Sequence, residues 1–163
     1  MALTLGSTYF NSFWDFILDP IKTKIDAEFA NGNSYISPKY LEVGNFCIRI
    51  WGNESETENY VAAGWDRSYD VDIVFYYLEA NPTLDTEVFY KHILSDAERC
   101  YQMLFNECKA IMTSKVYDGG TITRGLYNGV CESFVINEFQ GEEESVDNLT
   151  TVTFKFTCKL MDD

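Results

Sequence analysis

Few side chains in this sequence have both the type and the spacing that catalysis or ligation requires. His92 is the single histidine. It has no neighbouring Cys, Asp or Glu at a spacing that reads as a ligand set, so a residue on a helix face is a simpler reading than a general base or a metal ligand. Asp70-Val71-Asp72 puts two carboxylates on one strand face, about 7 Å apart from the rise of a strand. Such a pair can hold a divalent ion or divide acid and base roles, but an isolated DxD reads better as a solvated strand end. Gly119-Gly120-Thr121 could approach a phosphate, yet it lacks the flanking strand, helix and lysine of a phosphate loop, and a turn is the better account. No nucleotide-binding, nucleophile-elbow, zincin or EF-hand pattern occurs. The sequence therefore predicts no catalytic, cofactor-binding or metal residues, no cofactor, and a protein that is not an enzyme.

Cys47, Cys100, Cys108, Cys131 and Cys158 are odd in number and scattered, with no CxxC spacing. That argues against a disulfide framework and against a zinc site, and leaves each as a small buried hydrophobe. No basic residue precedes Lys22, and Asp15 and Asp19 interrupt the apolar stretch, so a signal peptide is not expected and the chain should be made and kept in the cytosol. No run of about 20 apolar residues is present to span a bilayer. Twelve Lys and Arg against 26 Asp and Glu give a net charge of -14, which repels nucleic-acid phosphates and anionic membranes at long range. Aromatic stripes that could stack bases lack the basic neighbours such a role needs.

The elements that must position these residues follow from the apolar period. The 163 residues, 46% of them hydrophobic, suffice for one core, and no linker or low-complexity tract divides them. Phe10, Phe13, Trp14, Ile17, Leu18 and Ile21, continuing to Ile25 and Phe29, recur at three and four, which predicts an amphipathic helix that Pro20 either kinks or restarts. Asn31, Gly32 and Asn33 should end it in left-handed conformations. Tyr40 to Val43 and Phe46 to Trp51 are short β-prone runs, and 52–59 reads as a flexible acidic loop. Tyr69, Val71, Ile73, Phe75 and Tyr77 alternate with a face that starts polar and ends aromatic, as in a sheet with one face on a core and the other partly covered. Asn81-Pro82 marks a turn, with Thr83 or Asp85 to cap a long helix whose stripe runs Val88, Phe89, His92, Ile93, Ala97, Tyr101, Leu104, Phe105, Cys108. The glycine-broken segment 111–129 reads as a long loop or a small hairpin. Strands near 130–139 and 151–160 should pair as an antiparallel hairpin across the flexible acidic connection 141–148. The expectation is one α+β domain over 1–163, mainly an antiparallel sheet of about four strands flanked by two helices.

Tyr, Phe and Trp beyond the needs of a core lean toward an oligomer. Tyr60, Trp65, Tyr76 and Tyr127 are the candidate interface aromatics. Glu54, Glu56 and Glu58 in the first acidic loop, and Glu142, Glu143, Glu144 and Asp147 in the second, are candidate lumen or interface acids.

The order of elements, with the strand Trp65-Asp66-Arg67-Ser68-Tyr69-Asp70-Val71-Asp72-Ile73-Val74-Phe75, the long helix after it and the closing Phe154-Lys155-Phe156-Thr157-Cys158-Lys159-Leu160, resembles the tail-terminator and head-to-tail joining proteins of long-tailed bacteriophages. The resemblance rests on element order and texture, since that family has no short diagnostic motif. It implies a virion structural protein made in the host cytoplasm, forming a homo-oligomeric ring, a hexamer by that resemblance, at the tail end or neck. Its partners would be further copies of itself and the tail-tube and neck or connector proteins, with DNA passing through without tight binding and no membrane involved. An acidic lumen would repel the passing DNA backbone, although solubility explains the charge as well. Two other readings stand beside it: a monomeric or dimeric cytosolic binding domain with a small apolar ligand between sheet and helix, and, more distantly, an enzyme using Asp70 and Asp72.

Overall fold

A computed structural model describes residues 12–41, 44–61, 64–79, 86–117, 120–139 and 148–162. Phe10, Val43, Asn81, Pro82, Thr83, Asp85, Gly119, Glu142, Glu143, Glu144 and Asp147, singled out above, lie outside the described residues.

Ser12 and Phe13 are already helical and lead into a π-helical turn, Trp14–Leu18, which runs directly into α1, Asp19–Glu28. Pro20 has no N–H to give and its ring crowds the carbonyl four residues earlier. Widening the turn, so that the Asp19 N–H reaches the Trp14 carbonyl, lets the helix pass through the proline. The extra residue in that turn also rotates the buried face. Phe16, absent from the expected stripe, is fully buried, while Trp14, which belonged to it, is 44% exposed. The helix ends at Phe29 with φ -116° and ψ 63°, and not through left-handed Asn31, Gly32 or Asn33: among the described residues only Gly44 and Asn128 have positive φ.

Among the described residues the sheet has six strands where about four were expected. They are β1 (Asn33–Ile36), β2 (Phe46–Val61), β3 (Gly64–Glu79), β4 (Ile111–Tyr117), β5 (Gly120–Phe139) and β6 (Asn148–Asp162), in the order β1-β2-β3-β6-β5-β4. Every pairing is antiparallel except that of β1 with β2. The β5–β6 hairpin is as the alternation predicts. Three differences stand out. β1 lies at Asn33–Ile36, and Tyr40 and Leu41, expected in a strand, are outside any. The expected loop 52–59 is instead the continuation of β2, whose residues pair with β3 out to Val61 opposite Gly64, with register shifts at Gly52/Glu54 and Thr57/Asn59. A strand held by its hairpin partner alone needs no apolar face, so its composition mimics a loop. Segment 111–129 is the hairpin of the two readings offered, formed by β4 and the first half of β5.

One face of the sheet carries the core. Ile73, Phe75, Phe154 and Phe156 are at most 1% exposed, as are Ile21 and Ile25 of α1 and Ile93 and Leu104 of α2, Thr86–Glu107. Each such side chain contributes roughly 1.5–3 kcal/mol. α2 is rolled relative to the expected stripe: Val88 and Phe105 are 64% and 58% exposed, and Asp96, Cys100 and Met103 point inward in their place. Arg99 on α2 bonds Glu28 at the end of α1 and joins the two helices. At a bulge in β5, Asn128 takes φ 52° and Gly129 passes so close to the end of α2 that a methyl group there would collide with the Cys108 carbonyl. No described helix is long and apolar enough to cross a membrane.

Candidate functional site

Strand alternation sends Asp70, Asp72, Val74 and Tyr76 to the sheet face away from the helices. Across β2, β3 and β6 this face holds a shallow groove of about 510 Å³. Its aromatic wall is built around Arg49. The guanidinium lies 3.7 Å over the Trp51 ring and 5.7 Å from that of Tyr76, and Nη1 donates to the Pro38 carbonyl. Tyr40 packs on Tyr76 at 4.6 Å, and the Tyr35 hydroxyl accepts the Leu41 N–H at 2.8 Å. Segment 37–41 is thereby folded over the aromatic end of the face, the partial cover that the sequence pattern suggested. Among the described residues the buried Arg49 Nε finds no hydrogen-bond partner. Burial pushes the Tyr76 and Tyr35 hydroxyls up from their usual range, against the pull of Arg49.

The polar end belongs to Asp72. Although at 5% exposure it is one of the few buried acids, both its oxygens receive Lys155 Nζ at 2.9 Å. The solvated strand end expected for Asp70 and Asp72 is therefore wrong for Asp72. A buried carboxylate persists when paired, and β6, inserted beside β3, brings Lys155 opposite it. Asp70 sits apart, half-buried in a second recess of about 220 Å³ with Ser68, Asn128, Glu132 and Thr157. The two carboxylates line different recesses. Among the described residues no group of three or more His, Cys, Asp or Glu is placed to hold a metal ion.

A second constellation lies where α2 meets β3. The Tyr77 hydroxyl donates to Asp96 Oδ2 at 2.8 Å, and His92 Nε2 is 3.4 Å from the same oxygen. Tyr77 and Asp96 are buried, whereas 61% of the His92 side chain faces solvent. His92 thus has an acidic neighbour after all: Asp96, one helical turn on, a partner the i,i+4 rule makes readable. Burial, and then the charge of Asp96, pushes the Tyr77 hydroxyl far above its ordinary range. That leaves Tyr77 a locked neutral donor and gives the trio a positioning character.

No disulfide joins the five cysteines. Burial raises the thiols of Cys100 and Cys158 and pushes Cys108 up to about 12, which removes them as nucleophiles.

Of the candidate acids, Glu54, Glu56 and Glu58 fall on the outer half of β2, with Glu54 opposite Asp70 and Glu56 opposite Ser68. Tyr60 and Trp65 face one another in register near the end of that hairpin. Tyr127, opposite Lys159, is half-buried. Tyr76 is only 8% exposed beneath Tyr40 and offers little contact area. Exposed apolar side chains among the described residues include Met112 and Val116 on β4, at 63% and 74%, Val130 and Val135 on β5, and Val88, Tyr90 and Phe105 on α2. Met112 and Val116 fall in a stretch where no apolar period persists, so no sequence pattern marked them. No protein-family model matches the sequence, and no curated protein matches it.

Proposed function

We propose that the protein is a virion structural subunit that closes into a ring at the tail end or neck of a long-tailed phage and acts by assembly around the DNA channel. The observation that supports this most is an open six-stranded sheet whose two rims differ. Among the described residues one rim is β4, paired with β5, and the other is the four-residue β1, which pairs with β2 at Cys47–Ile50 and leaves the rest of β2 without a second partner strand. Unpaired strand edges invite pairing with another chain, and two unlike rims on one subunit make a head-to-tail contact, the kind that closes into a ring when the rotation fits. Exposed Met112 and Val116 at one rim add apolar area, and the charge of -14 per chain keeps a DNA backbone from sticking to the assembly.

Light scattering with negative-stain imaging of the purified protein, alone and with tail-tube protein, tests the reading. Closed rings, or copies capping the tube, are expected. A monodisperse monomer of 18.8 kDa that also fails to bind tube protein overturns it. The second reading, a small-ligand domain, is favoured by one observation, the groove walled by Arg49, Trp51 and Tyr76. That groove lies on the face opposite the helices and not between sheet and helix.

A further inference from the structure

We infer that the groove on the outer sheet face is a binding site for a small organic carboxylate with a flat apolar body, whose carboxylate Arg49 receives; the inference does not rest on ring formation. At about 510 Å³ the groove falls within the range of roughly 300–1,000 Å³ that small-molecule sites occupy. Its charge runs against that of the chain. Acids outnumber bases by 26 to 12 over the sequence, yet among the described residues the groove is lined by Arg49 and Lys155 against the single acid Asp72.

Arg49 is the cation left without an anion. Lys155 Nζ lies 2.9 Å from both Asp72 oxygens, whereas none of the ion pairs among the described residues includes Arg49. Its guanidinium meets neutral groups. It lies 3.7 Å over the Trp51 ring, its Nη1 donates to the Pro38 carbonyl at 3.2 Å, and the Tyr76 ring stands beside it. Its Nε is the one buried side-chain polar atom without a partner among the described residues. A cation withdrawn from water and given no counter-charge keeps part of its desolvation cost, which a carboxylate on its terminal nitrogens offsets. The stack on Trp51 also fixes the guanidinium in advance, so that little rotamer entropy is lost when a ligand arrives.

Strand register places the rest of the ligand. Arg49 pairs with Val74, and Val74 with Thr153, with Lys155 two residues further along β6. A body laid from Arg49 toward Lys155 therefore crosses Val74 and the Thr153 methyl, and the aromatic wall of Tyr76 and Tyr40 favours a flat one. Lys155, half in solvent, and the Thr153 hydroxyl remain to bond a second polar substituent. Two cations against one buried carboxylate leave the groove a single positive charge, which matches a monoanion. A doubly charged phosphate would be brought beside Asp72 in a chain of charge -14.

NMR titration of the whole chain at pH 7 with 2-naphthoate, its uncharged amide and phenyl phosphate tests the site. 2-Naphthoate should bind saturably and shift the Trp51 indole N–H and the amides of 72–76 and 151–155. The amide should bind at least about tenfold more weakly, and phenyl phosphate more weakly than the carboxylate. Arg49→Lys keeps the charge without the stacked fork and should weaken 2-naphthoate at least about fivefold. Lys91→Gln, at an exposed position on α2, should leave binding unchanged. The comparison of acid with amide uses the wild type and needs no variant to fold. Absence of saturable 2-naphthoate binding, equal affinity for acid and amide, tighter binding of phenyl phosphate, or shifts confined to another surface overturns the proposal. So does an Arg49→Lys chain that keeps its circular dichroism and titrates like wild type. Ring closure is read separately by light scattering, so failure of this site leaves the assembly reading standing, and failure of assembly leaves the site.

Discussion

Tyr77→Phe removes one hydroxyl from the interior while keeping the ring that packs beside Phe46, with centroids 4.9 Å apart. Tyr77 is 4% exposed and donates to Asp96, 7% exposed, at 2.8 Å. A hydrogen bond to a charged group contributes about 1.5–3 kcal/mol, and an acceptor left buried without its donor keeps its desolvation cost. His92, 3.4 Å from the same oxygen but mostly in solvent, compensates in part, which points to the lower end, about 1.5–2 kcal/mol. For a chain of this length each kcal/mol corresponds to about 2–4 °C in Tm, so the variant should melt roughly 3–8 °C lower at neutral pH. Urea unfolding should show a lower midpoint with an unchanged slope. The pH dependence supplies a sharper check. In the unfolded chain Tyr77 titrates near its ordinary value of about 10, while in the folded chain burial and Asp96 hold it protonated well above that. Above about pH 10 the unfolded state therefore binds fewer protons than the folded state, and stability falls as pH rises, by up to about 1.4 kcal/mol per unit from this one group. Tyr77→Phe cannot lose stability by that route. Its deficit relative to wild type should shrink between pH 9 and pH 11. A deficit under about 0.5 kcal/mol at pH 7, or one constant across that window, would refute the reasoning.

Gly129→Ala forces a methyl group onto the Cys108 carbonyl where β5 bulges past α2 and should cost about 1–3 kcal/mol in urea unfolding; a neutral effect would mean the bulge can shift. Asp72→Ala leaves Lys155, half in solvent, without its partner, and should cost about 1–2 kcal/mol by the same measurement, while Asp70→Asn stays within about 0.5 kcal/mol. Equal effects at the two positions would contradict their separate surroundings. Thiol titration at pH 8 should find Cys131, the least buried cysteine, reacting first, and Cys100, Cys108 and Cys158 reacting only in denaturant. Rapid reaction of three or more thiols in the native protein would contradict the burial of those three.

The sequence made β3 and β6 legible because one face of each is apolar throughout, so that a period of two survives in Val71, Ile73 and Phe75 and again in Phe154, Phe156 and Cys158, although Asp72, Val74 and Tyr76 on the other face of β3 are buried as well. It hid the outer half of β2, whose backbone bonds go to β3 without any demand on side chains, and it hid β4, where outward Met112 and Val116 are as apolar as inward Ile111 and so erase the alternation. The stacking of Arg49 on Trp51 joins neighbours on one strand face and lay within reach of the pattern. The pair Asp72 and Lys155, 83 residues apart, did not. It depends on the last strand entering the sheet between β3 and β5. Had the strands followed chain order, β6 would form the rim and Lys155 would be separated from Asp72 by two strands. Inserting β6 centrally neutralises the buried acid and pushes β4 out to the edge. Both features, the paired Asp72 and the outer position of β4, thus have one topological cause. A local pattern can show that a strand buries one face, but not which strands flank it.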